Sequence, residues 1–149
     1  MKLSTKGRYG LRAAVDLAMY AKEEPISIST IAAKEGLSES YLEQLFAKLK
    51  KAGIVHSVRG TNGGYRLARP ASEITVGNVL RALEGNMVIV DCPNNEEACA
   101  KYGSCVTKYV WKRINNSISE TMDAMTLEEI INNAEELSED NRDKAYCAK

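Results

Sequence analysis

The sequence predicts a mainly α-helical fold with one small hairpin. In several stretches, apolar residues recur at three- and four-residue spacing, which is the period of a helix with one buried face. Serine or threonine precedes most of these stretches, as is typical of helix N-caps, and glycine or proline often follows. A pair of short β-branched runs, separated by a turn rich in glycine and asparagine, predicts the hairpin. With 149 residues, the chain is long enough to bury a core of its own.

The first third of the chain predicts three helices and a short extended segment. Thr5, Ser29 and Ser38 are the predicted N-caps, because each precedes a run with helical apolar period. Gly36 suits the positive φ of a tight turn between the second and third helices. The predicted elements are, in order, a helix from Thr5 to about Lys22, a strand at Ile26–Ile28, a helix over Thr30–Glu35 and a helix over Glu39–Ala52.

A helix, a glycine-containing turn and a capped second helix form a helix-turn-helix signature. The hairpin follows it directly, with strands predicted at 54–58 and 65–67 and a turn at 59–64. A hairpin in that position is a wing, so the sequence predicts a winged helix-turn-helix domain that binds DNA. Arg59 and Arg66 are expected to reach phosphates or the minor groove, and the wing glycines permit close backbone approach.

The second half predicts three more helices. The first covers Val76–Glu84 with Thr75 as its cap, the longest covers Val106–Met125, and the last covers Leu127–Leu137 with Thr126 as its cap. An apolar stripe runs along the longest helix, consisting of Val106, Val110, Ile114, Ile118, Met122 and Met125. Such a stripe is long for a small core to cover, so we interpret this helix as a dimerisation helix. The alternative is that it packs back on its own domain.

These elements predict a division of the chain, which the distribution of charge supports. The predicted parts are a DNA-binding domain at 1–85, a cysteine-bearing loop at 86–105, a dimerisation helix and following helix at 106–137, and a polar tail at 138–149. Residues 1–75 carry 12 Lys and Arg against 7 Asp and Glu, whereas residues 76–149 carry 8 against 13. A local polyanion site in the first half is consistent with this asymmetry.

The side chains expected to read DNA lie at the start of the third helix and in the wing. Ser38, Ser40, Tyr41 and Gln44 can hydrogen-bond phosphates and base edges, and Gln44 can pair bidentately with adenine. Glu43 is expected to tune specificity by accepting from cytosine or by repelling other sequences. The predicted wing contacts are Arg59, Gly60, Gly63, Gly64 and Tyr65.

The cysteines indicate metal, cluster or redox chemistry. The first residues lack the apolar region of a signal peptide and no apolar run is long enough to span a membrane, so we expect a cytoplasmic protein without membrane contact. In that compartment thiols stay reduced, which disfavours structural disulfides. Cys92, Cys99 and Cys105 follow a C-x6-C-x5-C spacing that can converge on one centre, and Cys147 lies in the tail.

Several motifs resemble those of the IscR and CymR family of bacterial regulators. They are the opening Met1–Leu11, Ser40–Leu45, the wing motif from Val58–Gly60 through Gly63–Tyr65, and Cys105–Thr107 followed by Trp111, and the resemblance covers about residues 1–137. It implies a homodimeric transcription factor, often a repressor, whose recognition helix enters the major groove of double-stranded DNA. The cysteines resemble the iron–sulfur cluster-binding branch, which implies a cluster, expected to be [2Fe–2S], and regulation of iron–sulfur assembly genes.

The sequence departs from that branch at the fourth ligand. The branch commonly has a histidine three residues after the last cysteine, where this chain has Lys108, an ammonium group without a lone pair. Asp91, a loop glutamate, Cys147, a residue of the partner subunit, or an exogenous thiol or water are the remaining candidates. Two other functions stay open, namely a thiol-sensing regulator of cysteine metabolism and a zinc-stabilised interaction module. No catalytic motif is recognisable, so we do not expect an enzyme.

Overall fold

Six α-helices and one two-stranded sheet make up the described part of the chain, residues 3–92 and 97–136 of this computed structural model. The elements are α1 (Thr5–Tyr20), α2 (Ile28–Glu35), α3 (Glu39–Lys51), β1 (Val55–Val58), β2 (Gly64–Leu67), α4 (Val76–Glu84), α5 (Lys108–Ala124) and α6 (Leu127–Glu136). The expectation of a mainly α fold with a winged helix-turn-helix is confirmed. None of the described helices is long and apolar enough to span a membrane.

Two predicted N-caps are wrong, each because an earlier serine takes the position. Ser4, not Thr5, caps α1, and its hydroxyl accepts from the amide of Lys6 at 3.1 Å. Ser27, not Ser29, caps α2 and accepts from the amide of Thr30 at 3.1 Å. The Ser27 hydroxyl also lies 2.9 Å from the hydroxyl of Ser29, which gives Ser27 a further hydrogen-bond partner. The strand predicted at 26–28 is consequently reduced to one bridging residue.

The core forms where α1, α3, α4 and α6 meet. From α3, Leu42, Leu45, Phe46 and Leu49 all point into it, as their three- and four-residue spacing predicts. The other helices contribute Ala13, Ala14 and Leu17 of α1, Val79 and Leu83 of α4, and Leu127 and Ile131 of α6. The division of the chain at residue 85 stays a prediction, but α6 clearly shares the core of the first 85 residues.

The turn between α2 and α3 has the expected geometry. Gly36 adopts a left-handed conformation with φ of 64°, and the amide of Leu37 donates to the carbonyl of Ala32 at 3.0 Å. Ser38 then caps α3 by accepting from the amide of Tyr41. Two ion pairs hold α1 against α2, one between Arg12 and Glu35 and one between Lys34 and the buried Asp16. These ion pairs fix α2, the first helix of the helix-turn-helix, against α1.

The wing is pinned to the helix-turn-helix through its second strand. Ile26 exchanges two backbone hydrogen bonds with Tyr65, at 2.8 and 3.1 Å. At Gly64 a Cβ atom would lie 2.3 Å from the carbonyl oxygen of Ile26, so no larger residue fits this approach. Within the hairpin, β1 pairs antiparallel with β2, with His56 opposite Arg66.

The apolar stripe of the longest helix divides between two environments. α5 begins at Lys108, so Val106 precedes the helix and is 82% exposed. Met122, near the other end, is buried in a small cluster with Val76, Leu80 and Met87, and Ile118 packs against it. The alternative that the helix packs on its own domain is thus correct for the C-terminal end of α5. The N-terminal end leaves Tyr109 and Val110 exposed.

Candidate nucleic-acid interface and cysteine segment

One face of the recognition helix is available to a ligand. Ser40, Glu43 and Gln44 are exposed, whereas Leu42 and Leu45 are buried on the opposite side. The spacing of three and four residues brings these three polar side chains to neighbouring positions on one helix surface. They offer a hydroxyl, a carboxylate and an amide, which are groups that can discriminate base edges in a major groove.

Ser38 and Tyr41 are both partly engaged within the protein. The Ser38 hydroxyl accepts from the Tyr41 amide at 3.2 Å, which leaves its own proton free to donate. The Tyr41 ring is half-buried and meets the ring of Tyr9 edge-on, with centroids 6.4 Å apart. Its hydroxyl lies 3.5 Å from the hydroxyl of Thr5, so Tyr41 joins the start of α3 to the start of α1.

This contact brings two cations of α1 close to the recognition helix. Lys6 and Arg8 are exposed on the first turn of α1, next to Thr5 and Tyr9, which touch Tyr41. Exposed cations near the start of α3 suit contact with the phosphate backbone, although the two-residue spacing directs Lys6 and Arg8 to different sides of α1. Sequence reasoning missed them, although a cluster of Lys and Arg near a predicted helix start was visible.

The predicted wing residues fall into two groups. Arg59 and Gly60 are exposed at the tip, together with Thr61 and Asn62. Gly63 and Gly64 have structural reasons for lacking a side chain, since a Cβ at Gly63 would lie 2.5 Å from the carbonyl oxygen of Val58.

The base of the wing faces inward. The Tyr65 ring packs on Phe46 of the core, with centroids 4.8 Å apart. The guanidinium of Arg66 donates to the carbonyl of Lys22 at 2.8 Å, at the end of α1, instead of projecting from the tip. The tip is therefore the part of the wing best placed to meet a phosphate or a minor groove.

The three described cysteines all lie on the segment between α4 and α5. Cys92 is exposed, and Cys99 and Cys105 are half-buried, all as free thiols. Among the described residues, no three ligating side chains gather around a position for a single metal ion. Hydrogen bonding from the Thr107 hydroxyl, 3.4 Å away, together with nearby backbone amides, lowers the pKa of the Cys105 thiol. Cys147 lies outside the described residues.

The Lys108 ammonium contacts a main-chain carbonyl and two tyrosine rings. It donates to the carbonyl of Tyr102 at 2.8 Å and lies 4.4 and 5.3 Å from the ring centroids of Tyr102 and Tyr109. The same side chain lines a cavity of about 470 Å³ with Cys92 and Trp111. The ammonium of Lys108 and the exposed thiol of Cys92 therefore share one cavity next to the start of α5.

The segment that carries Cys92 is anchored to α5. The Asn115 side-chain oxygen accepts from the amide of Ile89 at 2.8 Å, and its nitrogen donates to the carbonyl of Val90 at 3.0 Å. These two bonds tie the backbone just before Asp91 and Cys92 to the middle of the helix. The cysteine segment is therefore in direct contact with α5 through Asn115.

Helix α4 connects α5 to α1 and α3. Arg81 makes a bidentate ion pair with Asp123 of α5, at 2.6 and 2.8 Å. Two residues further along α4, the Lys48 ammonium of α3 donates to the carbonyl of Leu83 at 3.2 Å. The carboxylate of Glu84 accepts from the amides of Ser4 and Gly7 at 3.1 and 2.8 Å, which fixes the start of α1.

A protein-family model described as an iron-dependent transcriptional regulator, Rrf2, matches residues 3–133. The chain belongs to the Rrf2 family. It is accordingly a DNA-binding transcriptional regulator and not an enzyme. The resemblance noted in the sequence is confirmed.

Relatives with similar sequences are regulators of the same family. The chain is 39% identical over 145 residues to the HTH-type transcriptional regulator IscR of Pectobacterium carotovorum, covering 97% of this chain and 88% of that protein. It is 42% identical over 131 residues to the regulator IscR of Aliivibrio salmonicida, covering 88% and 77% of the two chains. The match therefore extends across both the DNA-facing helices and the cysteine segment.

Solved structures share the fold. IscR of T. potens superposes with a TM-score of 0.74 at 46% identity, covering 91% of this chain and 90% of that one. CymR, the global cysteine regulator of B. subtilis, superposes with a TM-score of 0.72 at 41% identity, covering 87% and 95%. Similarity to both proteins leaves the chemistry of the cysteines to be argued from this chain's own residues.

Proposed function

We propose that this regulator is a homodimeric repressor of iron–sulfur cluster assembly genes, acting in the cytoplasm, whose DNA binding responds to an iron–sulfur cluster. The proposal rests on one observation, which is that α4 and α5 connect the recognition face to the cysteine segment. An exposed recognition face with a pinned wing lies at one end of this connection, and a segment with three accessible cysteines lies at the other. The likeness to several proteins named IscR supports it.

In the DNA complex, we assign base reading to the exposed face of α3. Ser40, Gln44 and Glu43 reach base edges, with Glu43 selecting against wrong sequences. Ser38 and Tyr41 contact the backbone at the start of the helix, and the wing enters the neighbouring groove. The proposed wing contacts are Arg59 and Gly60 at the tip, with Gly63, Gly64 and Tyr65 shaping the hairpin behind it.

The donor set of the cysteine segment fits an iron–sulfur cluster chemically. Three thiolates at Cys92, Cys99 and Cys105 would hold it, and the Thr107 hydroxyl beside Cys105 favours the thiolate form that ligation needs. A bound [2Fe–2S] cluster would supply a redox- and iron-sensitive centre. Lys108 does not ligate, because its ammonium already donates to the carbonyl of Tyr102. The fourth position is therefore left to another group, such as Asp91 or an exogenous ligand, which suits a labile sensor.

The exposed end of α5 supports a homodimer. Val106, Tyr109 and Val110 are 82%, 69% and 50% exposed and lie close together in the chain. Large apolar side chains clustered at a surface are typical of protein interfaces. A second copy covering them would also shield the end of the cysteine segment, which lies just before α5.

The test is to purify the protein without oxygen and to measure visible absorption together with iron, acid-labile sulfide and zinc. We expect brown protein that contains iron and sulfide and loses its colour in the Cys92→Ala variant. The Ser104→Ala variant is the matched control, because Ser104 precedes Cys105 and is exposed but carries no thiol. Colourless protein, even after cluster reconstitution, would contradict cluster sensing, and stoichiometric zinc would indicate a structural metal instead.

A second function keeps the DNA-binding role but replaces the cluster with thiol chemistry. The accessible free thiols and the likeness to a solved regulator of cysteine metabolism favour it. It predicts colourless protein whose DNA affinity changes on mild oxidation and recovers with dithiothreitol. The same anaerobic measurement separates the two functions, because reduced thiols do not absorb visible light.

A further inference from the structure

We propose that the groove between the end of α1, the wing strands and α6 binds a small metabolite carrying two anionic groups, which is a function beyond cluster sensing. The cavity has a volume of about 520 Å³, within the range of small-molecule sites. The cavity has no role in the proposed DNA binding or cysteine chemistry. Its lining is cationic on one side and apolar on the other.

The cations of the lining are Lys22, Arg66 and Arg69, and His56 also lines the groove. Glu128 is the one acidic residue in the lining, so the formal charge is about +2 with His56 neutral. Within residues 3–92 and 97–136, no ion pair links Lys22, Arg66 or Arg69 to a carboxylate. The charge of this groove is therefore not compensated within the described part of the chain.

Both arginines are held in place by main-chain carbonyls. Arg66 donates to the carbonyl of Lys22 at 2.8 Å, and Arg69 donates to the carbonyls of Gly53 and Glu73 at 3.4 and 3.3 Å. Carbonyls orient a guanidinium without neutralising it, and each guanidinium keeps further N–H donors. Two oriented guanidinium groups suit a ligand with two anionic groups, because each can bind a carboxylate or phosphate in a bidentate manner.

The apolar side accommodates a short carbon skeleton. Leu17, Ala18 and Ala21 of α1 line it together with Ile131 of α6. All four side chains are buried and belong to the main core. A metabolite with a few carbons between two acidic groups matches this combination better than a free inorganic ion does.

The position of the groove disfavours DNA as its occupant. Tyr41 contacts Thr5 at the start of α1, whereas the groove lies beside Leu17 to Lys22 at the other end. Twelve residues of α-helix separate Thr5 from Leu17, a distance of about 18 Å. DNA seated on the exposed face of α3 therefore meets the opposite end of α1.

The test uses 3-phosphoglycerate, which carries a phosphate and a carboxylate, with glycerol as the uncharged control. Ala68 is exposed on the rim of the groove, so both Ala68→Glu and Ala68→Lys preserve the contacts of the fold. By isothermal titration calorimetry of the full chain, we expect saturable binding of one 3-phosphoglycerate per chain. Ala68→Glu should weaken it at least about fivefold through repulsion, and Ala68→Lys should not weaken it.

A second pair of variants tests the arginines. The double variant Arg66→Gln/Arg69→Gln should lose binding, and Arg113→Gln on the exposed face of α5 should retain it. The proposal fails if 3-phosphoglycerate does not saturate at millimolar concentrations, or if glycerol binds equally well. It also fails if Ala68→Glu and Ala68→Lys bind alike. If Ala68→Glu instead weakens DNA binding while wild type ignores 3-phosphoglycerate, the cations serve DNA phosphates and the proposal is overturned.

Discussion

Gln44 is the side chain whose removal should change sequence preference most clearly. Its amide is exposed on the outer face of α3 and can pair bidentately with adenine. We expect Gln44→Ala to cost about 1–3 kcal/mol of discrimination at one base position of the preferred site. The measurement is the dissociation constant for that site and for its single-base variants.

Arg59 provides the contrasting variant. Arg59→Ala should weaken binding to all sequences alike and reduce the slope of log K against log salt by about 1, as expected when one phosphate contact is lost. The assignment of base reading to α3 would be contradicted if Arg59→Ala lost the preference for one base sequence, or if Gln44→Ala retained it.

Glu84 should give stability that depends on pH. Hydrogen bonds from the Ser4 hydroxyl and from the amides of Gly7 and Ser4 lower the pKa of the Glu84 carboxyl below its usual 4.5. A carboxyl whose pKa is depressed in the folded state stabilises the protein fully above the unfolded pKa, and this contribution is lost as pH falls through the folded pKa. We expect Glu84→Gln to cost about 1 kcal/mol at pH 7 and almost nothing well below pH 4.

Urea unfolding of Glu84→Gln and wild type at both pH values measures this difference. Glu73→Gln is the matched control, since Glu73 is exposed and outside this contact. If Glu84→Gln lowers the free energy of unfolding by the same amount at both pH values, the charge of Glu84 does not stabilise the start of α1.

At the scale of single residues, local patterns were predictable and distant partners were not. Ser38 and Thr75 cap their helices as predicted, because no other hydroxyl residue lies within the two positions before either of them. Thr5 and Ser29 were wrong because another serine precedes each of them. The capping of α1 by Glu84, 77 to 80 residues away, depends on tertiary packing that no local pattern encodes.

At the scale of elements, the contact between α4 and α5 should carry the signal from the cysteine segment. Arg81 and Asp123 are both well exposed, so their ion pair is expected to contribute little to stability. Under the proposed function, Arg81→Ala should nevertheless reduce the difference in DNA affinity between cluster-loaded and cluster-free protein. Asp123→Ala and the double variant should reduce it by the same amount, because the two residues act as one unit.

These affinities can be measured by fluorescence anisotropy with one labelled operator. Arg113→Ala, which removes a cation from the exposed face of α5, is the control and should leave the difference unchanged. If Arg81→Ala, Asp123→Ala and the double variant all keep the wild-type difference in DNA affinity, α4 does not couple the cysteine segment to DNA binding.

The start of α5 shows why an element can be predicted while its boundaries cannot. Periodicity predicted a helix from Val106, but the helix begins at Lys108 because Cys105 and Thr107 form a local turn of their own. Periodicity also could not show that Met122 is covered by α4 whereas Val110 is exposed. That division depends on where α4 lies, which is a tertiary property.

At the scale of the whole molecule, the exposed end of α5 should determine oligomeric state. Val110→Glu places a charge in the apolar surface that we assign to the dimer interface, and charges there oppose association. We expect this variant to be a monomer in light scattering at concentrations where wild type is a dimer. Tyr20→Glu is the control, because Tyr20 is a similarly exposed apolar residue on α1. A dimeric Val110→Glu variant would place the interface elsewhere.

The fold class could be read from the sequence because caps, periodicity and the wing turn all agree with one another. The return of α6 to the core beside α1 could not, since Leu127 and Ile131 have the same pattern in any amphipathic helix. The recognition face followed from the buried positions of α3. The groove between α1, the wing and α6 could not be recognised in the sequence, because its cations, Lys22, Arg66 and Arg69, come from two separate parts of the chain.

The central claim is that the state of the three cysteines changes DNA binding, and one comparison tests it most directly. The affinity of one operator, chosen by selection from random DNA, is measured without oxygen for cluster-loaded protein and for the same preparation after chelation of its iron. The account predicts a change of about tenfold or more, equivalent to a coupling free energy of about 1.4 kcal/mol, which disappears in Cys92→Ala. Equal affinity and equal sequence preference in the two states would contradict it.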